Sequence, residues 1–263
     1  MHWILNSLFV LSIAFWSFDG FAQSQDVQRA LAPSGKLRVG LLLGSPTQAL
    51  RDASSGELRG VGHDLGQELA LRLQVPFEPV LFQAIGPLVD AVKAGAVDVA
   101  FFGYSDERAK VMDYAPVHLE VEFGYLVPAG SSIMRSDEVD RPGIRVATQE
   151  KSLPDAFLAR SLKNAQLVRA PTNAAALELV REGKADAAFS IKPNLFDLSK
   201  RLPGSRVLDD RPGIDPHAMA MPKGRDAGLD FARKFIIEAK SSGTVMKAIE
   251  RAGLRGVSVA TAP

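Results

Sequence analysis

Cysteine is absent from all 263 residues. That excludes disulfides, thiolate metal sites, cysteine nucleophiles and a lipid-modified N-terminal cysteine, and it leaves the apolar core to hold an exported fold without staples. A surplus of charge is also missing. The 31 basic and 30 acidic residues leave a net charge of +1, so there is no electrostatic footprint for nucleic acid or for an anionic membrane surface. His63, His118 and His217 are dispersed singly, without the spacing of a ligand set, and neither metal nor cofactor is expected. No Gly-x-Ser-x-Gly, phosphate-binding loop or paired-carboxylate constellation is found.

Long hydrophobic runs are confined to the N-terminus. Trp3 to Phe18 is apolar except at Asn6, Ser7, Ser12 and Ser17, and it breaks at Asp19-Gly20 ahead of Phe21-Ala22. This reads as a signal peptide over residues 1–22, although no Lys or Arg precedes the apolar core. An uncleaved membrane anchor is the other reading. After signal cleavage nothing in the chain would span a membrane.

What the chain does contain is alternation. Strand-like runs at Leu37–Leu43, Phe77–Phe82 and Val97–Phe102 are separated by helical stretches, one of them a Leu65–Leu73 stripe with Asp64 as its expected N-cap and another over Leu88–Ala94. A long extended run, Val117–Val127, closes at Pro128-Ala129-Gly130. The pattern then restarts with strands at Ile144–Ala147, Gln166–Arg169 and Asp186–Phe189 and helices at Leu153–Leu162 and Ala174–Arg181. His217–Met221 reads as a last strand, followed by helices over Ala227–Ala239 and Thr244–Ala252. Strands separated by helices imply βαβ units and parallel sheets. Two such blocks suggest two lobes with a cleft between them, and ligands bind outside the carboxyl ends of such strands.

Four motifs in order carry a resemblance. Gly60-Val61-Gly62-His63-Asp64-Leu65 resembles the Gly-Phe-x-x-Asp-Leu helix start of family 3 periplasmic solute-binding proteins of ABC importers for polar amino acids. Gly95-Ala96-Val97-Asp98 and Gly183-Lys184-Ala185-Asp186 resemble that family's Gly-x-x-Asp strand entry. Ser105-Asp106-Glu107-Arg108 through Asp113-Tyr114-Ala115-Pro116 is similar to its Thr-x-x-Arg…Asp-Phe-(small)-Pro signature. The resemblance covers about Leu37 to Gly256. It implies an α/β, two-lobed type 2 periplasmic binding protein fold with two crossing segments, near Val127–Ser131 and Pro212–His217. Lobe 1 would hold residues 35–127 and 217–256, and lobe 2 residues 128–216. It also implies a monomer in the periplasm of a Gram-negative bacterium that captures a small anionic solute for an ABC permease by hinge closure.

By the same resemblance, Arg108 pairs with a ligand carboxylate, which a guanidinium fork suits. Ser105 either touches the ligand or caps the helix carrying Arg108. Ser152 and Gln149 belong to the turn Thr148–Ser152 that offers N–H groups and a hydroxyl at a helix start, and Gly103 completes the expected contacts beside Arg108. Lys151 stands where the family commonly has Gly, as an extra cation or a solvated side chain.

The departures concern the ligand's ammonium. Ile191 stands where an Asp is usual, five residues after Asp186, and Phe101 stands where a small residue is usual, seven before Arg108. Both are counted among the ligand contacts. An unpaired buried ammonium is costly, so the expected ligand is an organic or keto acid, or an amine neutralised elsewhere, by Asp64 or Glu150. Of Phe101 and Phe102, strand alternation allows only one into the cleft. Asp98, Asp113 and Asp186 are read as local capping and turn residues. Two other functions stay open. One is a dehydratase for cyclohexadienyl acids with Glu150 as its acid; the other is a ligand sensor for a membrane receptor.

Overall fold

The computed structural model describes residues 18–261, with side chains from residue 25 onward. The apolar run from Trp3, and all but the last turn of the expected 1–22 leader, lie outside the described residues. The first block runs α1 (Phe18–Leu31), β1 (Leu37–Leu42), β2 (Leu50–Arg51), β3 (Leu58–Arg59), α2 (Val61–Leu73), β4 (Phe77–Phe82), α3 (Ile85–Lys93), β5 (Val99–Gly103) and α4 (Asp106–Ala109). A long strand β6 (Asp113–Val127) leads to β7 (Arg145–Gln149), α5 (Leu153–Ser161), β8 (Gln166–Ala170), α6 (Asn173–Arg181), β9 (Ala187–Ile191) and α7 (Lys192–Ser199). The chain then returns through β10 (Arg206–Val207) and β11 (Ile214–Met221) to α8 (Asp226–Ser241), α9 (Thr244–Arg251) and β12 (Val257–Val259).

The spatial strand order is β4-β1-β5-β11-β6-β9-β7-β8. β1 pairs in parallel with β4 and β5, and β7 in parallel with β8 and β9. Each parallel trio is bordered by a crossing strand running the other way, β11 beside β5 and β6 beside β9. The central strands β5 and β9 are buried at every position, as strands covered by helices on both faces must be.

The repeated Gly-x-x-Asp motif has a repeated physical cause. Asp98 accepts from the backbone N–H, Nε and Nη2 of Arg38, at 2.7–3.0 Å, while the same Nη2 bonds the Gly95 carbonyl. Asp186 accepts from the N–H, Nε and Nη2 of Arg145, at 2.8–3.0 Å, and Arg145 Nη2 reaches the Gly183 carbonyl. In each block an arginine entering the first strand is thus clasped to the turn entering the third. Asp98 is fully buried, and a second cation, Arg225 at the N-terminus of α8, also bonds it. Asp113 accepts from the Gly224 N–H.

Three expectations are corrected. The helix expected to begin at Asp64 begins at Val61, with Gly60 as N-cap. Its orphan N–H groups are satisfied by backbone instead of a capping side chain, Gly62 N–H on the Thr47 carbonyl and His63 N–H on that of Gln48. Gly60 adopts φ 149°, and a Cβ there would lie 2.5 Å from the Gln48 carbonyl oxygen, so only glycine fits. The exchange of sheets, expected in a loop near Val127–Ser131, occurs inside β6. Residues up to Glu122 pair with β11 and β12, while Phe123 onward pairs with β9 and β10. A crossing made within one extended strand carries no breaker residue to mark it. Helix α7 was not expected at all: it starts directly after β9, with Pro193 in its first turn.

Among buried polar groups, His118 on β6 is 1% exposed, its ring edge-on to Phe101 with centroids 5.7 Å apart and its Nδ1 without a partner. Burial first, then His217 and Lys240, lower its pKa from 6.5 to about 3. A base held neutral in this way contributes stability above pH 6.5 that is lost as the pH falls towards 3. The melting temperature should therefore fall between pH 6.5 and about 4.5, above the range where ordinary carboxylates titrate, and His118→Leu should flatten that limb. Parallel limbs for the two proteins in a calorimetric pH series would contradict this.

Candidate functional site

The carboxyl ends of the parallel strands of both blocks converge on one small cavity of about 40 Å³. From the first block come Leu42 ending β1, Ser45 and Gln48 in the following loop, Ile85 at the start of α3, Phe102 and Gly103 at the end of β5, and Arg108 on α4. The second block contributes Gln149 ending β7, Ser152 to Pro154 opening α5, Asn173 opening α6, Ser190 and Ile191 ending β9, and Asn194 on α7. Asp215 and His217 arrive on β11.

Arg108 stands at the centre of the seam. Its Nη1 donates to the Gly103 carbonyl at 2.8 Å and its Nη2 to the Lys151 carbonyl of the opposite block at 3.1 Å. Its Cζ lies 5.3 Å from the centroid of the Phe102 ring. Burial lowers the guanidinium pKa, opposed by Tyr114 and Asp215. Two of the five N–H donors that a guanidinium carries are thereby used, and the remainder can serve an anion in a poorly solvated setting where such a pair is strong.

Lys151 is itself unusual. It has φ 60°, the left-handed region that L residues occupy at a cost of about 1 kcal/mol. This conformation turns its carbonyl to Arg108 while its N–H bonds Asp155 Oδ2 at 3.0 Å. Its side chain is exposed, and its stem passes over Gly86 of the other block, where a Cβ would meet Lys151 Cδ at 3.0 Å.

A polar chain lines the opposite wall. Asn173 Nδ2 donates to Gln149 Oε1 (3.0 Å), Ser190 Oγ to Asn173 Oδ1 (2.9 Å) and Asn194 Nδ2 to Ser190 Oγ (3.2 Å). Ser45 Oγ then crosses between blocks to Asn194 Oδ1 at 3.1 Å. Together with the Arg108–Lys151 bond, this draws the two blocks shut over the cavity.

Of the residues expected from sequence, Arg108, Gly103, Gln149, Ser152 and Ile191 border the cavity. Ser105 and Phe101 do not. Ser105 caps α4, its Oγ accepting from the Arg108 N–H at 3.3 Å. The Phe101 side chain is buried on the other face of β5 against His118, and alternation brings Phe102 to the cavity instead. The Ser152 hydroxyl is engaged locally, donating to the Gln149 carbonyl at 2.6 Å and accepting from the Asp155 N–H at 3.1 Å. Neither acid proposed as a counter-charge reaches the cavity: Asp64 is paired with Arg251 at 2.8 Å, and Glu150 is exposed.

The acid that does border the cavity was missed. Asp215 is 4% exposed, its Oδ2 lies 3.4 Å from His217 Nε2, and its Oδ1 has no hydrogen-bond partner. Only part of the signal lay in the sequence: Asp215 and His217 fall in the segment expected to cross between lobes and share one face of a strand at period two, but nothing local sets that face against Gly103. Asn194 was missed along with the helix that carries it.

Two α/β lobes meeting over a half-buried arginine, at the carboxyl ends of their strands, define a solute-binding protein of the type 2 periplasmic fold. The chain belongs to the bacterial extracellular solute-binding proteins, family 3, which serve ABC importers; the model of that family matches residues 37–253. It is 22% identical over 224 residues, 83% of this chain and 81% of the relative, to the ABC transporter glutamine-binding protein GlnH of Bacillus subtilis. Among solved structures, the solute receptor for L-cysteine of Neisseria gonorrhoeae superposes with a TM-score of 0.76 at 21% identity, covering 88% of this chain and 98% of that one. An ancestral amino acid-binding protein described as a precursor of cyclohexadienyl dehydratase superposes with a TM-score of 0.72 at 24% identity, covering 84% and 96%.

Gly103 tests whether this close approach is required. An added Cβ would collide with Asp215 Oδ1 and lie 2.6 Å from Leu153 Cδ1 of the facing lobe. Gly103→Ala should destabilise the closed arrangement by about 1–3 kcal/mol. This should appear as a lower melting temperature and a larger radius of gyration in X-ray scattering; no change in either would contradict the packing described.

Proposed function

We propose that this chain captures a small carboxylate-bearing solute, amino acid-like or an organic acid, between its lobes and delivers it to an ABC permease. The carrying observation is Arg108, a half-buried guanidinium that borders the cavity, tied by carbonyls of both lobes and left with unused donors. Lobe 1 comprises residues 35 to about 122 with the chain from Ile214 on, and lobe 2 lies between them, so opening turns on the β6 sheet exchange and on residues 208–213. The protein works in the periplasm, as a monomer and without chemistry. The exposed position of Glu150 supports that last point, since the acid offered for dehydration stands outside the cavity.

A thermal-shift screen of the protein from about Gln23 onward, against amino acids and organic acids, tests this reading. A solute at a hundred times its dissociation constant should raise the melting temperature by on the order of 5–10 °C, and Arg108→Ala should abolish the shift. A shift that survives Arg108→Ala, or no shift with any carboxylate, would count against it.

A further inference from the structure

The cavity holds an acid as well as a base, and the two do not neutralise each other. Asp215 and Arg108 make no ion pair with one another, although each lies within the other's field. Arg108 is satisfied in part by two carbonyls. Asp215 has only His217 near one oxygen, at 3.4 Å, while Oδ1 is buried and unpartnered at the cavity edge. A buried carboxylate oxygen without a donor costs free energy that a cationic or N–H-bearing ligand group recovers.

The neighbourhood is arranged for that oxygen to be reached. Gly103 alone makes room for it, because any Cβ there would strike Oδ1. Ile191 adds no charge, and the exposed residues Lys151 and Glu150 are not among those lining the cavity. The carboxylate and guanidinium groups lining the cavity are one anion, Asp215, and one cation, Arg108, with the His217 imidazole beside the other oxygen of Asp215. That sum complements a ligand carrying both charges. An acid without an amine would place its negative charge beside a second, unsatisfied one.

From this geometry we propose that Asp215, on the returning crossing strand, is the counter-charge for an ammonium group of the ligand, so that the cleft selects zwitterions over simple organic acids. The inference rests on the solute-binding reading above and narrows its ligand class. It also places the ammonium site on the crossing between lobes, so that ligand and hinge share a residue.

Titration calorimetry on the whole mature protein tests it with the twenty common L-amino acids, each binder being compared with its desamino counterpart: L-alanine with propionate, L-cysteine with 3-mercaptopropionate, L-glutamine with glutaramate. At least one amino acid should bind, its desamino counterpart at least a hundred-fold more weakly. Asp215→Asn should weaken the amino acid about a hundred-fold while leaving the circular dichroism spectrum unchanged. The comparison of paired ligands needs no variant, so it decides the preference for zwitterions even if Asp215→Asn fails to fold, and Asp215→Glu, which keeps the charge, then tests the residue: binding should persist with it. Equal affinity for a desamino acid, lost in Arg108→Ala, would overturn the role of Asp215 and leave the solute-binding reading standing. Failure of every carboxylate to bind would overturn both.

Discussion

A half-buried guanidinium and a buried carboxylate share one seam without forming an ion pair, and the site is organised around that separation. Burying either charge is expensive unless partners replace its water. Arg108 finds a carbonyl on each lobe, and so gains one of its two carbonyl partners only when the lobes meet. Asp215 remains short of a donor. The closed seam is therefore complementary to a molecule that can supply an anion at one end and N–H groups at the other.

The scaffold holds these charges by means that are nearly the same in each lobe. The Arg38–Asp98 and Arg145–Asp186 clasps pin the first parallel strand to the turn before the third, which fixes where the ends of β5 and β9 emerge. Gly103 and Ile191 terminate those two strands and face the cavity from opposite sides. β6 and β11 are shared between the lobes or border them, and β11 carries Asp215. On the proposed reading, a crossing strand that bears a ligand-facing charge would couple occupancy to lobe position.

The fold was largely legible because its signals are local. Buried parallel strands such as Val99–Gly103 read as short apolar runs, and α6 and α8 have one apolar stripe each. The beginning of α2 was misplaced because its N-terminal N–H groups are satisfied by a distant loop, an arrangement that no residue near Asp64 announces. The first crossing was displaced because it has no turn chemistry, only a change of pairing partner along an unbroken strand. At the site, Arg108 was legible from its motif; alternation allowed only one of Phe101 and Phe102 into the cleft, but Phe101 was counted as the contact and the cavity takes Phe102. Asp215 was not, because its role depends on β11 lying against β5 opposite Gly103, a tertiary contact between residues more than a hundred positions apart. Absence of an acid at position 191 was visible in the sequence; the acid that β11 brings to the cavity edge was not.

The most direct test is a crystal structure of the protein with the amino acid it binds most tightly. The account predicts the ligand carboxylate on the free donors of Arg108 and its ammonium within hydrogen-bond distance, about 2.7–3.2 Å, of Asp215 Oδ1. A ligand whose carboxylate meets Arg108 while its amine lies elsewhere, with Asp215 Oδ1 still unpartnered, would contradict it.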